Sequence, residues 1–284
     1  MKKLITIVMP SYKSHNLVMS HIKKFSKKIN FIVIENSFDK YLKKKIDNKF
    51  DNVEVYLKKN IGYGSAINYG AKFVKTKYFL AMNPDTKIEI NSINKLVVAA
   101  NKIKKFGGLC PDHIDNSIEN NKYKIKFIEQ KSLYGAALLF NTKIFKKIKG
   151  FDENIFLYYE ENDYFTKCNQ LKLKLFLIRG TYFDHSLKGD SSSAKYKHKE
   201  DKYESYLVGG WHGQWSKFYY IKKYEGYYSS LRKCLPNLLV NIIQLLINLI
   251  FNQRKAKYIY FKIEGLISSI LSLKSFKRSK YDYK

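Results

Sequence analysis

An α/β fold on a mostly parallel sheet flanked by helices, with a helical C-terminal extension, is what this sequence predicts, and three observations carry that expectation. Short apolar runs alternate with amphipathic segments through the first third of the chain, the pattern of strands joined by crossover helices. Polar and special residues gather just after those runs, at Ser11-Tyr12, Glu35-Asn36-Ser37, Asn60-Ile61-Gly62 and Asn83-Pro84-Asp85. Ligands of parallel sheets bind at such strand ends. The last third then changes character, with a run from Leu235 to Phe251 in which nearly every residue is aliphatic.

The strands expected first are Leu4–Met9, Phe31–Ile34, Val53–Leu57 and Tyr78–Ala81, with helical spacing near 15–28, 39–49 and 64–75. Leu4–Met9 has the apolarity of a leader, but Pro10 ends it without a cleavage site, so it reads as a buried strand. A polar excursion is expected over 112–129, a strand over Leu133–Phe140, a helix from Glu160 to Leu171 and a strand over Leu173–Ile178. Residues 186–202, rich in Ser, Lys, Gly and Asp, read as a loop. The expected division is a catalytic domain over 1–205 and a helical region over 206–284.

Composition is that of a folded protein, at 45% hydrophobic and 27% charged residues. The net charge of +29 would suit nucleic acid or an anionic membrane. Nearly all the excess is lysine, and the only arginines are Arg179, Arg232, Arg254 and Arg278. Bidentate reading of bases and phosphates relies on arginine, so no nucleic-acid partner is expected. Weak attraction to anionic lipid survives that argument. Cys110, Cys168 and Cys234 lie far apart without metal-ligand spacing, as reduced cytosolic thiols do.

Leu235–Phe251 is aliphatic except for Asn237, Asn241, Gln244 and Asn248, which fall on one stripe of a helix. A second apolar segment follows over 256–273, past a basic junction at Arg254, Lys255 and Lys257. A spanning helix needs roughly 20 predominantly apolar residues. The short, striped first segment therefore favours two helices in the membrane interface, peripheral at the inner face of the cell membrane. The alternative is a helical hairpin packed on the domain or joining two copies of the chain.

Four features could carry chemistry. Asp85, in Asn83-Pro84-Asp85-Thr86 after a strand, could hold a divalent cation, although the same residues make an ordinary turn or helix start. Gly62 and Gly64 would let backbone approach an anion at a helix N-terminus, with Asn60 and Asn68 nearby, but tight helix packing also wants small residues there. Glu160, Glu161 and Asp163 open a helix, where the dipole favours acids and where one carboxylate could serve as general base. His185 follows a strand; paired with Asp85 it would suit Mn²⁺.

The ordered set Pro10-Ser11-Tyr12, Glu35-Asn36-Ser37, Asn60–Gly70, Asn83-Pro84-Asp85, Gly135-Ala136, Gly150-Phe151-Asp152-Glu153, Glu160-Glu161-Asn162-Asp163 and His185 resembles the family-2 inverting glycosyltransferases of the GT-A fold, in particular their rhamnosyltransferase-like branch. The resemblance covers residues 4–190. It implies a nucleotide-diphosphate-sugar donor, a hydroxyl acceptor on a glycan or lipid-linked glycan, and a role in cell-envelope polysaccharide synthesis. Pro10, Tyr12, Glu35, Asn60 and Gly62 would contact the nucleotide, with Glu35 where the family usually has aspartate. Asp85 matches the last acid of the Asp-x-Asp element, whose first position is Asn83 here. His185 resembles the second protein ligand of a Mn²⁺ or Mg²⁺ ion. Glu161 matches the catalytic base, more often aspartate, and Gly135, Glu160 and Trp211 would face the acceptor. Two other readings are a nucleotidyltransferase, which the glycine-free 10–16 segment disfavours, and a non-catalytic basic membrane-binding protein, which leaves Asp85, Glu161 and His185 unexplained.

Overall fold

In the computed structural model, residues 4–103, 105–113, 125–185 and 199–282 are described. They fall into two compact units. One comprises residues up to Ile61, Ser65–Phe151 and Tyr164–Lys195; the other collects Gly62–Gly64, Asp152–Asp163 and Tyr196–Lys284. The division is therefore not one cut near residue 205, because two short central segments belong with the C-terminal helices.

The first unit is built on a sheet of β1 (Ile5–Ser11), β2 (Asn30–Glu35), β3 (Val53–Leu57), β4 (Tyr78–Met82), β5 (Lys87–Ile88), β6 (Gly108–His113), β7 (Lys126–Gln130), β8 (Ala137–Asn141) and β9 (Leu175–Asp184). Their order is β3-β2-β1-β4-β8-β6-β9-β5, with β7 also on β9. β3, β2, β1 and β4 run parallel and alternate with α1 (His15–Phe25), α2 (Lys40–Asp47) and α3 (Tyr63–Phe73), as the apolar rhythm predicts. Every residue of β1 and β4 is buried, as strands covered on both faces require.

Beyond β4 antiparallel pairs join the parallel ones. β8 pairs antiparallel with both β4 and β6, and β5 and β7 pair antiparallel with β9. The strand expected over Leu133–Phe140 begins only at Ala137, and the one expected to stop at Ile178 runs on to Asp184. α4 (Ile90–Ile103) packs on β9, where Ser92 Oγ accepts from the Tyr182 amide at 2.9 Å. α5 (Thr142–Lys147) is capped by Asn141, whose Oδ1 accepts from the Lys143 and Ile144 amides. Most of the expected 112–129 excursion, and the loop expected over 186–202 as far as 198, lie outside the described residues. From Lys199 that stretch is already helix.

α6 (Glu160–Gln170) starts in the second unit and continues into the first. The second unit is otherwise α7 (Lys199–Glu225), α8 (Tyr227–Phe251) and α9 (Gln253–Ile270). Leu207, Trp211 and Trp215 of α7 pack with Phe261 of α9, and Phe218 and Ile221 pack with Cys234 of α8 and Leu266 of α9. Gly265 permits this proximity: a Cβ there would lie 2.2 Å from the Trp211 carbonyl oxygen.

α8 is turned inside out. Its asparagines Asn241 and Asn248 are buried, and Asn241 accepts from Lys262 of α9 at 3.1 Å. Its aliphatic residues face outward, with Ile243, Leu246, Ile250 and Phe251 between 58% and 80% exposed. α8 is also long and apolar enough to cross a membrane.

Candidate active site

At the ends of β1 and β2, the chain makes a platform organised by Glu35. Ser11 Oγ donates to Glu35 Oε2 at 2.5 Å, while the Ser37 amide donates to Oε1 at 2.7 Å and the Ser37 hydroxyl donates to the same oxygen. Ser37 Oγ in turn accepts from the Lys13 amide at 3.1 Å, where Lys13 takes a left-handed φ of 54°. Burial pushes the Glu35 carboxyl up, and the three serine hydrogen bonds oppose that shift. Expected to line a nucleotide pocket, the Glu35 side chain is 1% exposed with both oxygens taken by serines. Its part is to fix the turns that carry Tyr12 and Ser37. Pro10 is buried and Tyr12 half-buried on the same strand end.

The Asn83–Thr86 turn leaves β4 pinned against the approach to β8. The Asn83 amide and the Thr86 hydroxyl both donate to the Ala136 carbonyl, at 3.0 and 3.1 Å, which sets Gly135 beside the turn. From α1, His21 Nε2 donates to the Pro84 carbonyl at 2.9 Å. Burial lowers the pKa of His21, so the neutral ring carries its proton on Nε2.

Strand pairing then delivers the next partner. β5 and β9 pair Lys87 with Asp184, so Asp85, just before β5, meets His185, just after β9. Asp85 Oδ1 and His185 Nε2 stand 3.2 Å apart, yet Nε2 is buried without an aligned hydrogen bond. Asn83 Oδ1 is a second buried acceptor without a partner. A carboxylate and an amide oxygen on one turn, with an imidazole nitrogen brought up by β9, are donors that suit a small divalent cation such as Mn²⁺ or Mg²⁺. Among the described residues no group of three or more His, Cys, Asp or Glu side chains gathers to form a closed metal cage.

Asn60, between β3 and α3, is half-buried. Asn68 is engaged elsewhere: its side chain brackets Phe151, accepting from that amide and donating to that carbonyl, both at 2.9 Å. It is a structural clamp on the Gly150-Phe151 turn and does not add to the polar end of α3 that the sequence suggested.

In the second unit, Gly62 has φ of 86°, and a Cβ there would lie 2.2 Å from the Phe156 carbonyl oxygen, so only glycine fits. The chain running into α6 is strained, with Tyr158 and Tyr159 both left-handed at φ of 65° and 68°. Glu160 follows, 3% exposed, with Oε2 unpartnered. Burial, then the neighbouring Glu161 charge, pushes its carboxyl well above the ordinary range. Burial likewise raises Glu161. A carboxylate so raised is a stronger base than a solvated one, which is what removal of a hydroxyl proton needs.

Trp211, expected at the acceptor, is fully buried in the α7–α9 core, with its ring 6.4 Å from that of Trp215. Its apolar area is used in holding the helices together, so the acceptor role is withdrawn. The Gly150–Glu153 motif singles out Asp152 without a partner; sequence reasoning missed Tyr219, Lys223 and Tyr224, which form a charged network with it beside the acid turn. Lys223 Nζ donates to Asp152 Oδ2 at 2.7 Å and to Asp163 Oδ1 at 2.5 Å. His21 was missed as well. No local pattern marks either residue, since one is a lysine among many and the other a lone histidine in an amphipathic helix.

An α/β sheet of this order flanked by helices is the frame of the GT-A class of sugar transferases, and the comparisons agree on that fold. The fold is similar to that of a mannosyltransferase from Pyrobaculum calidifontis, solved with GDP-mannose and Mn²⁺, at a TM-score of 0.56, 9% identity and coverage of 95% of this chain and 87% of that one. It is also similar to GalNAc-T7, solved with UDP, GalNAc and Mn²⁺, at 0.54, 14% identity and coverage of 78% and 50%. Those likenesses concern the fold. Residues 6–175, more than half of the chain, match glycosyl transferase family 2, and the chain belongs to that family. It is also similar to uncharacterized glycosyltransferases of Rickettsia bellii, 28% identical over 204 residues, and Rickettsia typhi, 25% identical over 205 residues. The matches take 64% and 65% of this chain but only 28% and 62% of those relatives.

Proposed function

We propose that this glycosyltransferase moves a sugar from a nucleotide-diphosphate donor to a hydroxyl of a glycan or lipid-linked acceptor, inverting the anomeric carbon, in envelope polysaccharide synthesis. The observation that carries the reading is the Asp85–His185 pair at 3.2 Å, with an unaligned imidazole nitrogen and the unpartnered Asn83 oxygen on the same turn. Asp85 and His185 would hold a divalent cation, which when bound neutralises charge on a departing diphosphate. Solved neighbours that contain Mn²⁺ with UDP or GDP-mannose support that choice. The ordered motifs favour the rhamnosyltransferase-like branch.

The chain's own residues supply the remaining steps. Backbone around Pro10–Tyr12, with Asn60 and Gly62, would seat the nucleotide. Glu161 would take the proton of the attacking hydroxyl as its oxygen bonds to the anomeric carbon and the bond to the diphosphate breaks. A single displacement inverts the centre. The test is a screen of nucleotide sugars for thermal stabilisation with and without Mn²⁺. One donor should raise the melting temperature in a Mn²⁺-dependent way, and Asp85→Ala should abolish the Mn²⁺ dependence. Equal stabilisation of wild type and variant would remove the metal assignment.

The enzyme would work at the inner face of the cell membrane, held there by α8. An aliphatic surface turned outward while Asn241 and Asn248 turn inward, with Asn237 and Gln244 left exposed, is unlike a water-facing helix, and it suits lipid. Lys255 and Lys257, at the α8–α9 junction, are both exposed and would face anionic headgroups. Asparagine at Ile243, Leu246 and Ile250 together should release the chain from anionic vesicles. Undiminished partitioning would redirect that face to a contact between copies of the chain.

A further inference from the structure

We propose that Lys223, on α7, is the positioning residue for the acid turn that begins α6. The inference rests on the reading of Glu161 as base and adds to it: the C-terminal helices set the geometry of the base as well as meeting the membrane.

The segment Asp152–Asp163 leads from the Gly150-Phe151 turn into α6 and carries Glu160 and Glu161 near its end. One ammonium group ties both of its ends. Lys223 Nζ reaches Asp152 Oδ2 at 2.7 Å and Asp163 Oδ1 at 2.5 Å. Two tyrosines of α7 strengthen the same carboxylates: Tyr219 donates to Asp152 Oδ2 and Tyr224 to Asp163 Oδ1, each at 2.9 Å. Asp163 also closes the first helical turn through its amide, which donates to the Tyr159 carbonyl at 2.9 Å.

Between those ends the backbone is costly to hold. Tyr158 and Tyr159 are consecutive left-handed residues, a conformation that persists only when the surroundings fix it. Further holds come from α7 and the C-terminal segment. Ser216 Oγ donates to the Leu157 carbonyl at 2.9 Å, and Phe156 lies between the His212 ring at 4.5 Å and the Arg278 guanidinium at 3.6 Å. The only ion pairs among these holds are at the ends. Asp163 is fully buried, so its carboxylate requires a cation, and Lys223 supplies it. The ammonium's arrangement suits a clamp that sets where the turn between the two acids points.

The test compares Lys223→Met, Lys223→Arg and Tyr224→Phe with wild type, in a transfer assay using the donor found by the Mn²⁺ screen. Displacing a catalytic group by about 1 Å costs on the order of 10²-fold in rate. Lys223→Met should lose kcat by about that factor, with the donor KM and the Mn²⁺ half-saturation held within about twofold. Lys223→Arg should recover most of the loss. Wild-type kcat in Lys223→Met overturns the proposal, as does a kcat loss matched by an equal rise in donor KM. If Lys223→Met fails to fold, Tyr224→Phe decides, because it removes one bond to Asp163 and keeps the ion pair. Lowered kcat at constant KM supports positioning there, and unchanged kcat overturns it. Glu161→Gln run alongside separates the two ideas: full turnover in that variant removes the base itself, whereas a crippled Glu161→Gln beside an intact Lys223→Met removes only the role of Lys223.

Discussion

The turn proposed to hold a cation and the acid turn proposed to hold the base are built by opposite means. Asp85 and His185 meet because two residues of β5 pair with the last two of β9, a backbone register that brings them within 3.2 Å. Glu160 and Glu161 owe their setting to side chains from a helix some sixty residues downstream, through Lys223, Tyr219 and Tyr224. A site fixed by a sheet register is insensitive to most single side-chain changes. One fixed by a buried charge network is not. The first turn should therefore be lost when its own ligands are changed and only weakened by changes around them, whereas the second should fail from a distance.

Glu161 itself should give the largest effect. Glu161→Gln keeps size and hydrogen bonding but cannot take a proton, and general-base help is typically worth about 10²–10⁴-fold. We expect that loss in kcat with nucleotide binding retained. Burial raises the Glu161 carboxyl, so the base is lost to protonation as pH falls through a pKa above the usual carboxylate value. The acid limb of kcat against pH should therefore lie higher than a solvated glutamate would give, and should vanish in the Gln variant. An unchanged limb in Glu161→Gln would assign it to another group.

The cation turn should show a smaller, indirect sensitivity through His21. Its Nε2 proton holds the Pro84 carbonyl one residue from Asp85, while its ring lies parallel to Phe25 at 6.2 Å. Partners outside a metal's own ligands typically contribute about 10–100-fold to affinity. His21→Phe keeps a flat ring and deletes the donor, so the Mn²⁺ half-saturation should weaken by that order while metal-free nucleotide affinity stays constant. No change in the Mn²⁺ titration would show that the β5–β9 register positions Asp85 unaided.

The same contrast explains what the sequence allowed one to read. Parallel strands β1–β4 and their helices were legible because apolar periodicity is local, and the boundaries of β3 were reproduced without error. β8 was misjudged: Leu133–Ala136 is apolar enough for a strand, but Ala136 is spent on holding the Asn83 turn, so pairing starts at Ala137. The antiparallel insertion of β8 between β4 and β6 depends on long-range pairing that no window of sequence reports. Asp85 and His185 could be paired through family resemblance. Trp211 failed because an aromatic at helical spacing is core more often than surface, and α9 covers it. Lys223 was invisible because its significance lies wholly in which carboxylates it reaches.

The smallest effect expected is on stability, at Glu160. Its Oε2 is buried without a partner, and burial with the adjacent Glu161 raises its pKa well above the solvated value of 4.5. For an acid whose folded pKa exceeds the unfolded one, the folded state binds the proton more tightly. Stability is then greatest below the unfolded pKa and declines as pH rises from there to the folded pKa. Glu160→Gln cannot ionise, so that decline should be absent in the variant, and its melting temperature at neutral pH should equal or exceed that of wild type. The difference in melting temperature between the two proteins is the readout. It should disappear at low pH, where Glu160 of the wild type is already protonated. A Gln variant less stable than wild type at neutral pH would mean that the Glu160 charge is compensated in the folded protein, and the acid turn would then hold two working carboxylates in place of one base beside a neutral neighbour.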